Sequence, residues 1–344
     1  MVFRTIRIAP DPLWEKEFFY VQKEEDVEIT IENLVAKKGT KVSGYVPVPK
    51  TDIKLPVTII NGEKEGKTVL ITGGVHNAEY TGIETAIQLA VEITPEEIAG
   101  CLMIIHPVNI SGFENRTMSM VAEDGKNLNR IFPGDPDGTV GEKIGAFISE
   151  VFLKKTDCYI DLHAGDGYET LTPYVYYVGA TTEAVVNEAK AMAECLDVPY
   201  LVKSHTATGG AYNYAGSIGI PSILIERGGE ARWSQAEIDL YKEDVRNVLR
   251  YLEVLDEPVK EQANKPVDLV DVVYENAAHT GCWYPHKKAG AFFKKGEELG
   301  VIKDYFGNLL QTCIAQYDGI ILYQVSSLCI LENGSMITYG KISD

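Results

Sequence analysis

Short apolar runs alternating with amphipathic helical patterns predict an α/β protein with an α/β/α layered sheet. A switch to turn-punctuated strands near residue 265 predicts a small all-β domain behind it. The apolar runs fall at residues 68–72 (TVLIT), 102–106 (LMIIH), 158–162 (CYIDL), 174–178 (YVYYV) and 222–225 (SILI). Continuous apolar strands suit a sheet covered on both faces.

The intervening helices follow from their stripes. Ile83, Ala86, Ile87, Ala90 and Val91 form one, and Ile144, Phe147, Val151 and Phe152 a second. Over residues 235–255, Ile238, Tyr241, Val245, Val248, Leu249, Leu252 and Leu255 form a third. Asp256-Glu257-Pro258 and the polar residues up to 266 read as a linker. Beyond it, Lys295-Gly296, Phe306-Gly307-Asn308, Asp318-Gly319 and Glu332-Asn333-Gly334 punctuate short strands. The division implied is a charged N-terminal segment (1–40) contributing at most edge strands, a hydrolase domain (41–257) and an all-β domain (265–344).

Bulk properties narrow the function. The 344 residues are 45% hydrophobic and 24% charged, ordinary for a soluble protein with a sizeable core. Fifty acidic against 32 basic residues give a net charge of −18, which argues against nucleic acid or an anionic membrane as partner. No apolar run is long enough to span a bilayer, and the first residues lack a signal-peptide core, so a cytoplasmic location is expected. The six cysteines are scattered without a C-x-x-C pair, which points away from a disulfide framework or thiolate metal site.

The chemistry gathers where the predicted strands end. His76 follows the first run after Gly73-Gly74, Asn109 follows the second, His163 ends the third and Glu226 ends the run at 222–225. Open α/β sheets build their sites at such carboxyl ends. Taken singly, each histidine reads as an ordinary loop or core residue. Together, His76, Glu79 and His163 make a His₂Glu set of the kind that holds a catalytic zinc ion and keeps a fourth position for water. Glu226 is then the expected general base, in preference to a salt-bridge partner of Arg227, because Gly228-Gly229 leave room for a substrate. Arg116, Asn129 and Arg130 are the anion-handling candidates.

The strings G-G-V-H-N-A-E, N-L-N-R-I-F-P-G, I-D-L-H and I-P-S-I-L-I-E-R-G-G, in this order, resemble the succinylglutamate desuccinylase/aspartoacylase family of the zinc carboxypeptidase clan. The resemblance covers roughly residues 40 to 340. It implies a central mixed sheet and a C-terminal barrel-sandwich hybrid. His76, Glu79 and His163 match the zinc ligands and Glu226 the general base. Arg116 matches the arginine that polarises the scissile carbonyl, and Asn129 and Arg130 the pair that binds the substrate carboxylate. Two departures stand out: Asn77 where the family usually has glycine, and Asn127 where it has aspartate, both expected to reshape the pocket rim. Arg227 and Arg232 are left as candidates for recognising the substrate side chain.

The expected activity is therefore zinc-dependent deacylation of a small-molecule N-acyl amino acid. The alternative is a zinc carboxypeptidase acting on short peptides. A non-catalytic carrier is a third reading, disfavoured because the equivalent hairpin tip, residues 304–308, holds no lysine. The resemblance implies that the all-β region covers the active-site mouth or serves assembly into a homo-oligomer. Of the remaining polar residues, His205 reads as an exposed loop histidine in preference to a pocket-rim residue, and the segment Tyr212-Asn213-Tyr214 is a candidate source of a phenol for the site.

Overall fold

A computed structural model describes residues 28–262 and 265–342. Its centre is a nine-stranded mixed sheet. Across the sheet the strands run Val267–Leu269, Tyr200–Ser204, Tyr174–Val178, Ser222–Glu226, Cys158–His163, Lys64–Gly73, Ala99–Ile105, Lys54–Asn61 and Thr40–Pro47. The four strands from Ser222–Glu226 to Ala99–Ile105 are mutually parallel. Tyr174–Val178 and Lys54–Asn61 run against them on either side, which makes the sheet mixed.

All six residues of Cys158–His163 are buried, as expected of a strand covered on both faces. The helix Tyr80–Glu92 packs beside Gln235–Tyr251, where Gln88 bonds Gln235 and Lys242. The latter helix buries Ile238, Tyr241, Val245, Val248 and Leu249, five of the seven residues in the predicted stripe. The second stripe is a helix at Val140–Phe147 followed by a wider turn at Ile148–Phe152. Helices at Glu183–Glu194 and Ala211–Ser217 and the strand Tyr200–Ser204 were not foreseen.

Of the N-terminal segment, residues 1–27 lie outside the described residues. Ile29–Ile31 and Leu34–Ala36 form a separate two-stranded hairpin, and Thr40–Pro47 is the sheet's edge strand. Among the described residues no helix is long and apolar enough to cross a membrane.

The C-terminal strands form two antiparallel layers around Trp283, Phe293, Ile302, Ile321, Ile337 and Tyr339. The two parts of the chain exchange strands. Glu169–Leu171, from the α/β part, pairs with Gly319–Val325 of the C-terminal layers, while Val267–Leu269 pairs with Tyr200–Ser204 in the large sheet. Tyr174, Val202, Leu269, Ile320 and Leu322 share a small core between them.

Candidate metal centre and substrate cavity

Two close approaches set the geometry. Gly74 has φ of +77°, and a Cβ there would come within 2.8 Å of Ile83 and Pro107, so only glycine allows this turn out of the strand. Gly82 lies against the backbone of Leu162, where a Cβ would meet the Leu162 carbonyl at 2.6 Å. The helix start is thereby pressed onto the end of Cys158–His163, which brings Glu79, the residue capping that helix, to His163.

Glu79 sits between the two imidazoles. Its Oε1 is 2.7 Å from His76 Nδ1 and its Oε2 is 2.7 Å from His163 Nδ1. One ligand atom from each residue lies within 4.8 Å of the others. One far nitrogen has a partner of its own, His76 Nε2 lying 3.1 Å from Asn127 Oδ1; His163 Nε2 lies 3.2 Å from Asp161 Oδ2 but makes no hydrogen bond. Asp161 is in turn bonded by Thr72. Backing of this kind fixes which ring nitrogen faces a metal. Burial alone would raise the Glu79 carboxyl, but the His163 and His76 rings bring it down to about 2. The donor set of two nitrogens and a carboxylate, converging around a centre that favours positive charge, fits a divalent cation.

Glu226 stands in register with His163 on the adjacent parallel strand. Its Oε2 is buried with no hydrogen-bond partner. Burial, then the charge of Glu79, pushes its carboxyl well above the usual range. The two strand ends are joined by the Tyr241 hydroxyl, which accepts from the His163 N–H (3.0 Å) and lies 2.7 Å from the Ile225 carbonyl. Arg227 is not a partner of Glu226. It turns away to Asp244, with Nε and Nη2 at 3.0 and 2.7 Å, and to the Asp197 carbonyl. That commitment also removes it as a substrate-recognition residue. Arg232 is exposed and lies outside the cavity lining.

A cavity of about 390 Å³ opens onto His76, Glu79, His163 and Glu226 and is also lined by Asn129 and Arg130. The short helical turn Leu128–Arg130 is capped by Asn127. The Asn129 amide oxygen accepts from Ala211 N–H, which leaves its NH₂ group as a donor. Arg116 lies elsewhere. It is exposed at the left-handed C-cap of the helix Ile110–Asn115 and is not among the lining residues. Asn109 is fully buried and bonds Asn77, so both are supports of the loop behind His76. The two family departures therefore do not shape the rim: Asn77 is interior and Asn127 backs a ligand.

The rest of the lining was largely missed from sequence. It includes Glu169, Leu171, Tyr174, Tyr176, Tyr212, Tyr274 and Tyr323, the last two from the C-terminal strands. Tyr274 donates to the Tyr176 hydroxyl at 3.2 Å. Tyr212 reaches the cavity, whereas His205 is exposed and only its neighbours Ser204 and Thr206 line it. A three-residue strand such as Glu169–Leu171 carries too little pattern to be read, though the repeated tyrosines at 174, 176 and 177 were a visible signal.

Fold and site together define an α/β protein with a built two-histidine, one-carboxylate centre in a substrate-sized cavity. Residues 65–252 match the succinylglutamate desuccinylase/aspartoacylase catalytic domain, and the chain belongs to that family. It is 38% identical over 124 residues to the N-alpha-acetyl-L-2,4-diaminobutyric acid deacetylase of Halomonas elongata, 36% of this chain and 35% of that protein. The match thus spans about a third of that relative's length. Among solved structures it is similar to a succinylglutamate desuccinylase from Silicibacter sp. TM1040 (TM-score 0.77, 23% identity). It is also similar to the product-bound ectoine utilization protein EutE (DoeB) from Ruegeria pomeroyi (TM-score 0.78, 24% identity). Each alignment covers 88% of this chain and 95% of the other, and at these identities the likeness is one of fold.

Proposed function

We propose that this protein is a zinc-dependent amidohydrolase that removes the acyl group from a small N-acyl amino acid. The observation that carries the reading is the convergence of His76, Glu79 and His163 beside the partnerless buried oxygen of Glu226, all facing one cavity. The ion supplies a Lewis acid that lowers the pKa of a water and polarises a carbonyl oxygen.

The chain's residues supply the rest. Arg130 and the NH₂ group of Asn129 hold the substrate carboxylate and thereby orient the amide. Glu226 takes a proton from the attacking water as its oxygen bonds to the acyl carbon. The C–N bond breaks, and Glu226 returns the proton to the leaving nitrogen, giving a carboxylic acid and a free amine. Arg116 is assigned the polarisation of the scissile carbonyl, which requires its exposed side chain to turn inward. Tyr274 and Tyr323 wall the cavity from the C-terminal side and favour small substrates over extended peptides. We place the catalytic unit at 41–257 and the wall-forming β unit at 265–344.

The test is a comparison of the metal-stripped and zinc-restored protein on a panel of N-acyl amino acids and dipeptides. Zinc should restore deacylation. Cleavage of dipeptides alone would transfer the protein to the carboxypeptidases, and full activity after stripping would remove the metal from the mechanism.

A further inference from the structure

Independently of the activity proposed above, we propose that Cys282 and Cys329 are a reversible disulfide site that pins one edge of the C-terminal layers. The two cysteines are far apart in the chain, and strand register brings them together. Gly281–Pro285 pairs antiparallel with the short edge strand Cys329–Ile330, and Cys282 stands directly opposite Cys329. On the flank of this pair the Trp283 N–H donates to the Leu328 carbonyl at 2.8 Å. Ladder bonds alternate along antiparallel strands, so Cys282 and Cys329 form a non-hydrogen-bonded pair, the kind whose side chains lie closest. Such pairs hold their Cα atoms about 4.5 Å apart, inside the span of roughly 4.4–6.8 Å that a disulfide accepts.

Both thiols face the same way. Trp283 and Ile330 are buried in the core of the layers, so strand alternation turns Cys282 and Cys329 to the outer face. Cys282 is half-buried and Cys329 exposed, whereas Cys101, Cys158, Cys195 and Cys313 are buried. Burial pushes those four thiols up, Cys195 to about 11 and the others to about 12, which keeps them out of thiolate chemistry. The oxidant is a small disulfide such as oxidised glutathione. The exposed Cys329 thiolate attacks one of its sulfurs, forming a mixed disulfide and releasing one thiol. The Cys282 thiolate then attacks Cys329 Sγ, closing the protein bond and expelling the second thiol. The protein thiols lose two protons and two electrons, and the small disulfide takes them up as two thiols. In a reducing compartment the pair stays open and closes under an oxidising load. Cys329–Ile330 follows Gly319–Val325 after residues 326–328. Val325 pairs with Glu169, and the Ser326 N–H donates to the Tyr168 carbonyl at 2.7 Å. Closing the bond therefore anchors the segment that holds Glu169–Leu171 in the cavity lining.

The full-length protein, first reduced, should be equilibrated with oxidised glutathione, alkylated, and mapped by mass spectrometry without further reduction. The expected product is one Cys282–Cys329 cross-link within the chain, reopened by dithiothreitol, with the four buried thiols unchanged. In Cys282→Ser, an outer-face substitution, Cys329 should instead remain the glutathione mixed disulfide, because the resolving thiol is gone. Amide hydrogen exchange over residues 168–171 and 326–330 should slow by about fivefold or more when the bond closes, and Cys282→Ser should lose that response. A wild-type chain that keeps both thiols free, stops at the mixed disulfide, or cross-links only between chains would overturn the site. Exchange that bond closure leaves unchanged would overturn the anchoring of Glu169–Leu171.

Discussion

The two walls of the cavity are made differently. The metal-side wall comes from the ends of neighbouring strands in one sheet, clamped by the Tyr241 hydroxyl and by glycines pressed against backbone. The rest of the lining takes Tyr174 and Tyr176 from the same sheet and Tyr212 from a helix, and is completed by a short strand, Glu169–Leu171, and by strands about 100 to 150 residues further along the chain. Chemistry that must be positioned to a fraction of an ångström sits on the first. The C-terminal tyrosines that we propose limit substrate size sit on the second. The difference teaches that one cavity can draw its sides from supports far apart in the chain.

Substitutions can break or sharpen this contrast. The largest effect is expected at Glu226. Glu226→Gln should lower kcat by about 10²–10⁴-fold while zinc content, measured by atomic absorption, stays at the wild-type level. Near-normal turnover would end its role as base. Next, Arg227→Ala leaves Asp244 as an unpaired buried charge, and chemical denaturation should register a loss of about 3–5 kcal/mol. A loss below about 1 kcal/mol would mean that this support of the metal-side wall is dispensable. Asn127→Asp places a carboxylate behind His76 and should tighten zinc binding by about tenfold in a competition titration with a chelator. Weaker binding would contradict the backing role. The smallest change is expected on the far wall: Tyr274→Phe removes the donor to Tyr176 and should raise KM by about fivefold or less with kcat held. A collapse of kcat there would show that the two walls are not independent.

What could be read from the sequence follows the same line. The metal-side wall was legible because a buried strand is a continuous apolar run, and a polar residue that ends it has nowhere to point but the site. Thus His163 and Glu226 were found from the runs at 158–162 and 222–225, each of which the structure extends by that one residue. The mixed sheet and the C-terminal β layers likewise follow the expected architecture. Glu169 and Tyr323 were not legible, since their meeting depends on pairing between segments about 150 residues apart. Arg227 was weighed against Glu226 and against a substrate, but its partner Asp244 lies on a helix whose facing cannot be read at the loop. Asn77 and Asn127 were expected to reshape the rim as departures from the family pattern; Asn77 is instead buried behind His76, its amide oxygen accepting from Asn109 and its amide nitrogen without a partner.

The strand exchange has a practical corollary for anyone dividing the chain. A fragment stopping at residue 257 would strip Glu169–Leu171 of its ladder partner and leave Tyr200–Ser204 as a bare margin, inviting sticky intermolecular pairing. The complementary fragment would lack the strand that covers its own Gly319–Val325 border. Neither piece is a self-sufficient module, so heat or denaturant should melt the whole in one concerted transition.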